Sequence, residues 1–529
     1  REPWKSADVT GFGYMAELAR GASDWLQPQL LGQDPEVQAL LPYWLGAWAL
    51  QAAPSWLAPE FAVRLPFMAL LALTLAATWY GVYYLVRSPL AQPVSFAFGG
   101  EANPTDYARA IADGALLALI ACLGLAQLSH ETTPALAQLG FSALAFFGLA
   151  AMPYRALAAS STLAIGLTGL GLSGAATLAL LLGLGGALVE ALDPDTPRPN
   201  SRLRHPAWLI VGIALLAALA AWSAGMWRWR VVFPEPTWAE WRSLARLWLW
   251  FSWPAWPLAL WTLWRWRRQR TSRHVALPLL FALLGCGVSL GMEGTDRALL
   301  LTLPAIAALA AFSLPTLSRS LSALIDWFTL LFFSGSALAI WVVWISMQVG
   351  VPAQPAANVQ RLYPGFVPSF SLLPFAIALL STFFWIWLVR WRTSRQRAAI
   401  WKSLVLPAGG VALSLLLLMT LWLPLGDYTR SYAPMVSRVS ALIQPTGCVQ
   451  VHGLTRALVA ALRYQGQLDL RSAAAAAQCD WLLVDDDALA NLGQTVNLSQ
   501  WRLASTVRRP TDRADMVLLF RRQPLPRAP

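Results

Sequence analysis

Charge is scarce in this sequence. Only 12% of its 529 residues are Asp, Glu, Lys or Arg, about half the roughly 25% of a soluble globular domain. That deficit excludes a disordered chain, a long coiled coil and an ordinary cytosolic enzyme. Lysine is nearly missing, with Lys5 and Lys402 as its two instances. Four cysteines are too few for a disulfide scaffold or a thiolate cluster. No Gly-x-x-x-x-Gly-Lys loop, no His-Glu-x-x-His motif and no Gly-x-Gly-x-x-Gly after a predicted strand occurs.

What remains is apolar. Hydrophobic residues make up 57% of the chain and mean hydropathy is +0.50. They fall in blocks near bilayer length, at 66–87, 113–129, 135–152, 158–172, 174–191, 207–225, 247–264, 275–291, 298–313, 325–346, 371–390 and 404–424. The pair within 158–191 also reads as one broken helix. These blocks predict a polytopic α-helical membrane protein with about 12–13 spans. The outer juxtamembrane segment is 1–65, the membrane domain 66–424 and the C-terminal domain 425–529. The opening on a polar segment at Arg1 leads us to expect a preceding signal or helix.

The net charge of +12 raises nucleic acid as a partner, but the arginines sit in short loops between apolar blocks. Arg198, Arg202 and Arg204 form one set, Arg265, Arg267, Arg268, Arg270 and Arg273 a second, and Arg390, Arg392, Arg395, Arg397 and Lys402 a third. If every block crosses, the three loops share one side, which the positive-inside rule makes cytoplasmic. The N-terminal segment and everything after 424 then face outward, into the periplasm of a cell with two membranes. No nucleic acid is expected.

After residue 425 the pattern changes. Residues 447–453, 467–471, 481–487 and 515–522 read as strands, with helices at 432–444 and 455–465. This alternation predicts a small α/β domain. Cys448 and Cys479 each lie at the start of a predicted strand, which allows a disulfide in an oxidising compartment or two buried thiols.

The most chemical part of the chain is its beginning. Asp8 follows a basic, aromatic lead-in and opens a helical pattern, so it is either a helix cap or a general base at the membrane surface. The surrounding residues are Ala7-Asp8-Val9, Ser23-Asp24-Trp25, Pro28, Leu30-Leu31-Gly32, Val37-Gln38-Ala39 and Tyr43-Trp44. In register and without gaps, they resemble the first outer loop of type C glycosyltransferases. The likeness is to the lipid A aminoarabinose transferases in particular, and to the related protein O-mannosyltransferases. The matching family motifs are Pro-Asp-Glu, Gly-Asp-Trp, Pro-x-Leu-Leu-Gly, Glu-Lys-Pro and Tyr-Trp. They cover the first fifty or so residues, while the span count and outer C-terminal domain extend the likeness to the whole architecture.

The resemblance implies that Asp8 is the catalytic aspartate. It also implies a polyprenyl-phosphate sugar of the undecaprenyl type as donor, a glycolipid or protein acceptor, and membrane lipids as surroundings. Two positions depart from the family: Val9 replaces an acid, and Gln38 replaces a phosphate-contacting lysine. A phosphate still needs cations. Lys5, Arg297 and Arg246 are the candidates, Arg297 because it precedes a Leu-Pro-rich helix as a basic residue does in the family. His130 and Glu131, before Thr132-Thr133-Pro134, sit where related enzymes place a second acid. With Glu293 and Tyr363 they are the candidates for acceptor or second-substrate contacts. Each has a plain alternative: an interfacial anchor for Lys5, pairing of Arg297 with Asp296 or Glu293, and snorkelling for Arg246.

No metal site is read from one His-Glu pair, and no cofactor is firmly implied, although a divalent cation is compatible. The reading is therefore an inverting membrane glycosyltransferase of the inner membrane, with a hollow expected beneath 1–60 and Asp8 at its wall. A transporter or flippase, and a non-catalytic lipid-binding relative, are the other classes.

Overall fold

The computed structural model describes residues 3–92, 103–193, 206–227, 237–291, 296–393, 400–443, 447–473, 479–509 and 516–523. Arg198, Arg202, Arg204, Arg395 and Arg397 lie outside them, as does Glu293. The chain begins with α1 (Ser6–Ala19) and α2 (Leu41–Ala52), separated by a loop, and then enters α3 (Pro59–Val86). Next come α4 (Pro104–Ala121), α5 (Leu123–Leu128), α6 (Pro134–Ala151), α7 (Ala156–Leu170), α8 (Ala176–Leu192) and α9 (Pro206–Ser223). They are followed by α10 (Trp238–Phe251), α11 (Ala255–Arg265), α12 (Arg273–Gly291), α13 (Leu303–Ser313) and α14 (Arg319–Val349). The helical part closes with α15 (Ala353–Leu362), α16 (Leu372–Thr393), α17 (Val405–Leu421), α18 (Leu423–Arg430) and α19 (Ala433–Leu442).

All twelve apolar blocks are helical, and eight helical stretches among the described residues are long and apolar enough to cross a membrane. The protein is a multi-pass membrane protein. Local chemistry explains several helix starts. Proline stands in the first turn of α3, α4 and α6, where its missing N–H costs nothing. Ser318 accepts from the Leu321 N–H to cap α14.

Three blocks depart from the simple reading. The 158–191 pair is a tight reversal rather than one broken rod. Gly174 adopts φ +89°, and a Cβ there would lie 2.5 Å from the Gln38 carbonyl oxygen. Beyond the turn, the position of a Gly183 Cβ falls 3.1 Å from Leu167 Cδ1, so α8 runs back beside α7. The block at 247–264 is split at residues 252–254, where α10 gives way to α11 across a cis Trp253–Pro254 bond. The block at 113–129 breaks at Cys122, and the Leu123 N–H donates to the Trp253 carbonyl, so the two breaks meet.

Close packing in lipid cannot rest on hydrophobic transfer and relies on small residues. A Cβ on Gly148 would lie 2.8 Å from the Leu163 nitrogen, and one on Gly166 would lie 2.6 Å from the Ala145 nitrogen. Helices α6 and α7 therefore touch backbone to backbone. At the end of the bundle carrying the basic loops, Arg273 is 5% exposed and pairs with Glu190 at 2.5 Å. Its guanidinium also donates to the Leu149 carbonyl. One loop arginine of the sequence reading is thus a buried tie between α8, α12 and the end of α6.

The C-terminal sheet has the order β2-β1-β3-β5-β4, built from β1 (Val449–His452), β2 (Leu470–Ser472), β3 (Trp481–Asp485), β4 (Trp501–Arg508) and β5 (Met516–Arg522). Helix α20 (Arg456–Tyr464) joins β1 to β2, and these pair in parallel, as do β1 and β3. Strand β4 went unpredicted because it is an edge strand with most side chains exposed, so its hydrophobic alternation is weak.

Cys448 and Cys479 are joined in a disulfide with a Cα separation of 5.1 Å, closing 31 residues of sequence. Loop-closure entropy assigns such a bridge about 3–4 kcal/mol. Alkylation of the unreduced protein is expected to label Cys122 and Cys286 after unfolding and leave the other two untouched. Labelling of all four would remove the bridge.

Candidate functional site

The N-terminal strap, the turn after α5, the turn before α13 and helix α18 converge on one cluster. Helix α1 starts at Ser6, and the Asp8 and Val9 N–H groups both donate to the Lys5 carbonyl at 3.0 Å. Asp8 occupies the first turn, where the helix dipole favours a carboxylate. Its Oδ1 is engaged from far away in sequence. The Thr132 N–H donates to it at 2.7 Å and the Thr132 hydroxyl at 2.8 Å. Gly11, one turn on, lets α1 approach: a Cβ there would meet the Thr132 carbonyl at 3.0 Å. The Thr-Thr-Pro sequence is thus a holder for Asp8, a role with no local signature.

Lys5 and Arg297 stand on either side of Glu131. Lys5 Nζ lies 3.0 Å from Glu131 Oε1, and Arg297 Nε donates to Oε2 at 3.0 Å. Asp296 is farther off, 3.9 Å from Lys5 and 3.8 Å from Arg297. Of the pairings expected for Arg297 within its own loop, the one with Asp296 is therefore lesser than that with Glu131, and Glu293 lies outside the described residues. Glu131 is 1% exposed while both cations are about a quarter exposed. Its geometry is that of an anchor between two cations. Each cation has more donors than Glu131 uses, because guanidinium carries five and ammonium three.

Trp4 ties the strap down on the other side. Its Nε1 donates to Asp427 of α18 at 2.5 Å, and Gly426 leaves room for its ring. Arg430 lies over that ring at 5.9 Å. His130 meets it edge to face, with centroids 6.2 Å apart. Arg64, near the start of α3, lies within electrostatic reach of Asp8 and Asp427. Sequence reading missed Trp4, Arg64, Thr132 and Asp427. The first was submerged among 29 tryptophans, and the last had been assigned to the outer domain.

Tyr363 follows the end of α15 and is half-buried. Its loop reaches the cluster's support, because the Tyr428 hydroxyl donates to the Pro364 carbonyl at 2.7 Å and Tyr428 adjoins Asp427. Val9 is 4% exposed within the main core, where an acid would be buried among apolar groups at high cost. Among the described residues no three His, Cys, Asp or Glu side chains are arranged as metal ligands.

A cavity of about 1060 Å³ opens between α10, α11, α14 and α17. Its wall is apolar, with Leu123, Trp250, Trp253 and Phe328 contributing, and Arg242 and Arg246 are its charged members. Trp250 and Phe328 are themselves well exposed, so the cavity opens onto the apolar outer surface of the helices. Leu123 begins α5, whose six residues climb about 9 Å to the turn carrying His130 and Glu131. Asp8 itself is 1% exposed and lines none of the three cavities described. Where a hollow with Asp8 in its wall was expected, the strap covers the carboxylate; solvent reaches the cluster at Asp296 and Arg297, while the Lys5 ammonium nitrogen is buried.

No family model matches the chain, and no curated protein sequence does so. Two solved structures resemble it. ArnT from Cupriavidus metallidurans bound to undecaprenyl phosphate superimposes with a TM-score of 0.58 at 14% identity, over 98% of this chain and 94% of that one. The apo state of the same protein gives 0.57 at 14% identity with the same coverage. The chain thus has the fold of ArnT over nearly its whole length, and at this identity the likeness is one of fold.

Proposed function

We propose that this protein transfers a sugar from a polyprenyl-phosphate donor to a lipid or protein acceptor at the outer face of the inner membrane. The observation that carries the reading is the buried Asp8 carboxylate, oriented by Thr132 beside the Lys5–Glu131–Arg297 cluster. In the reaction, an acceptor hydroxyl or amine attacks the anomeric carbon as the carbon–oxygen bond to the phosphate breaks. Asp8 takes the proton of the attacking group, a step that requires the strap covering the carboxylate to move aside. Lys5 and Arg297 receive the charge that develops on the departing polyprenyl phosphate. Attack opposite the leaving group inverts the anomeric centre.

The apolar cavity suits the prenyl chain, with Arg246 and Arg242 as further phosphate contacts. A donor with so long a chain stays in the bilayer, since each buried methylene contributes about 0.8 kcal/mol. Phosphate departure drives the step without a nucleotide. The solved ArnT complex, which holds undecaprenyl phosphate, supports the donor class.

The test is mass analysis of envelope glycolipids and membrane proteins from cells with and without the gene. A sugar-sized mass increment that depends on the gene is expected. Identical profiles, with the protein present and folded, would overturn the proposal.

A further inference from the structure

A polar cavity of about 260 Å³ lies away from the Asp8 cluster, where the loop after α1 meets helix α20 of the C-terminal domain. Its walls include Glu17, Ser23, Asp24, Gln27, Gln29 and Arg463. Carboxylate, carboxamide, hydroxyl and guanidinium groups together make a surface that hydrogen-bonds hydroxyls from several directions. The two other cavities are lined by mostly apolar side chains, Arg242 and Arg246 in the first being the charged exceptions, so this one differs in kind. It has room for roughly eight or nine waters at about 30 Å³ each, and hence for a single sugar ring.

The site is built before any ligand arrives. Glu17 is 2% exposed, and Arg463 Nε lies 2.9 Å from its Oε1. Burial pushes its carboxyl above the usual carboxylate range, against the pull of Arg463 and Arg20. Ser23 Oγ accepts from the Gln29 N–H at 2.7 Å, and Asp24 Oδ1 accepts from the Leu26 N–H at 2.6 Å. These bonds set the loop's shape, so binding spends little on ordering it.

Position supplies the ligand class. Glu17 and Asp8 lie on the same helix, about 13 Å apart along its axis at 1.5 Å per residue. Trp25 stacks on Trp48 at 6.3 Å next to the cavity loop, and Leu26 and Trp48 are exposed. This is an aromatic, apolar rim of the kind that sits at a membrane surface. We propose that the cavity is an acceptor subsite, taking one pyranose ring of a membrane-anchored glycolipid head group while another part of that head group reaches Asp8. The inference rests on the transfer reading above for the identity of its ligand as the acceptor. It also gives the C-terminal domain a task, since Arg463 completes the pocket from across the chain.

The test uses the full chain in a detergent without a sugar head group. Glucose and glucosamine are titrated and followed by saturation-transfer NMR. The wild type is expected to give a saturable signal, which Ala22→Trp abolishes by filling the cavity. In a transfer assay with the glycolipid fraction of the host envelope, Gln27→Ala is expected to raise the acceptor KM about tenfold, leaving kcat and the donor KM unchanged. Should Ala22→Trp melt early, Gln27→Ala carries both measurements.

A wild-type chain with no saturable signal for either sugar overturns the subsite, whatever the transfer assay shows. Transfer that proceeds with an unchanged acceptor KM in the variants also overturns it and leaves the transferase reading standing. Sugar binding lost in Ala22→Trp, from a wild type that modifies nothing, upholds the pocket and removes the transferase reading. Modification of protein alone removes the glycolipid as its occupant and overturns the proposal.

Discussion

Asp8→Asn is expected to lower the transfer rate by roughly 10²–10⁴-fold, the range lost with a positioned general base. The substitution separates chemistry from structure. An asparagine carbonyl oxygen can accept from both the Thr132 N–H and the Thr132 hydroxyl, as Asp8 Oδ1 does now. The carboxamide cannot take up the acceptor's proton. Thermal stability should therefore fall by no more than about 1.5–3 kcal/mol, the worth of hydrogen bonds to a charged group. Donor binding should persist. Thr132→Val provides the companion measurement, because it removes one of the two donors to Asp8 but keeps the base, and a smaller loss in kcat is expected. A wild-type rate in Asp8→Asn would show that the carboxylate is structural.

The second large effect is expected at Arg297. Replacing it with alanine removes a guanidinium that lies beside Glu131 and is about a quarter exposed. Hydrogen bonds to charged groups contribute about 1.5–3 kcal/mol, which corresponds to roughly 10–100-fold weaker binding of a polyprenyl phosphate. Glu131 keeps Lys5 as a partner at 3.0 Å, so its burial remains compensated and the fold should survive. The measurement is the donor KM together with direct binding of undecaprenyl phosphate. Arg297→Lys should recover part of the loss, as a charge without the fork. An early melt with unchanged donor affinity would assign Arg297 a purely structural part.

Much of the architecture was legible because a bilayer imposes a length and an apolar composition on each crossing. The alternation of strand and helix patterns after residue 425 was equally local. The candidates Lys5, Asp8, His130, Glu131 and Arg297 were also found from sequence, and the fold brings them to one place. Their pairings were not legible. Glu131 lies between two cations, one of them 166 residues away. Trp4 and Asp427 meet across 423 residues, and no window of sequence relates them.

The breaks at Cys122 and at residues 252–254 belong to the same category. Pro254 permits a break, but the Leu123 bond to the Trp253 carbonyl is what satisfies the opened backbone. Buried peptide groups must find partners somewhere. Likewise Gly174 allows a turn, and its close fit against Gln38 is a tertiary fact.

The sequence alone determined which segments are long and apolar enough to enter a membrane, which loops carry the arginines, and where the C-terminal region begins to alternate strand with helix. These properties follow from local composition and short-range periodicity. Tertiary structure decided that Asp8 is held by Thr132, that Glu131 aims Lys5 and Arg297, and that Glu17 finds Arg463. A buried charge must be compensated by whichever opposite group the packing delivers, and packing joins residues without regard to their distance along the chain.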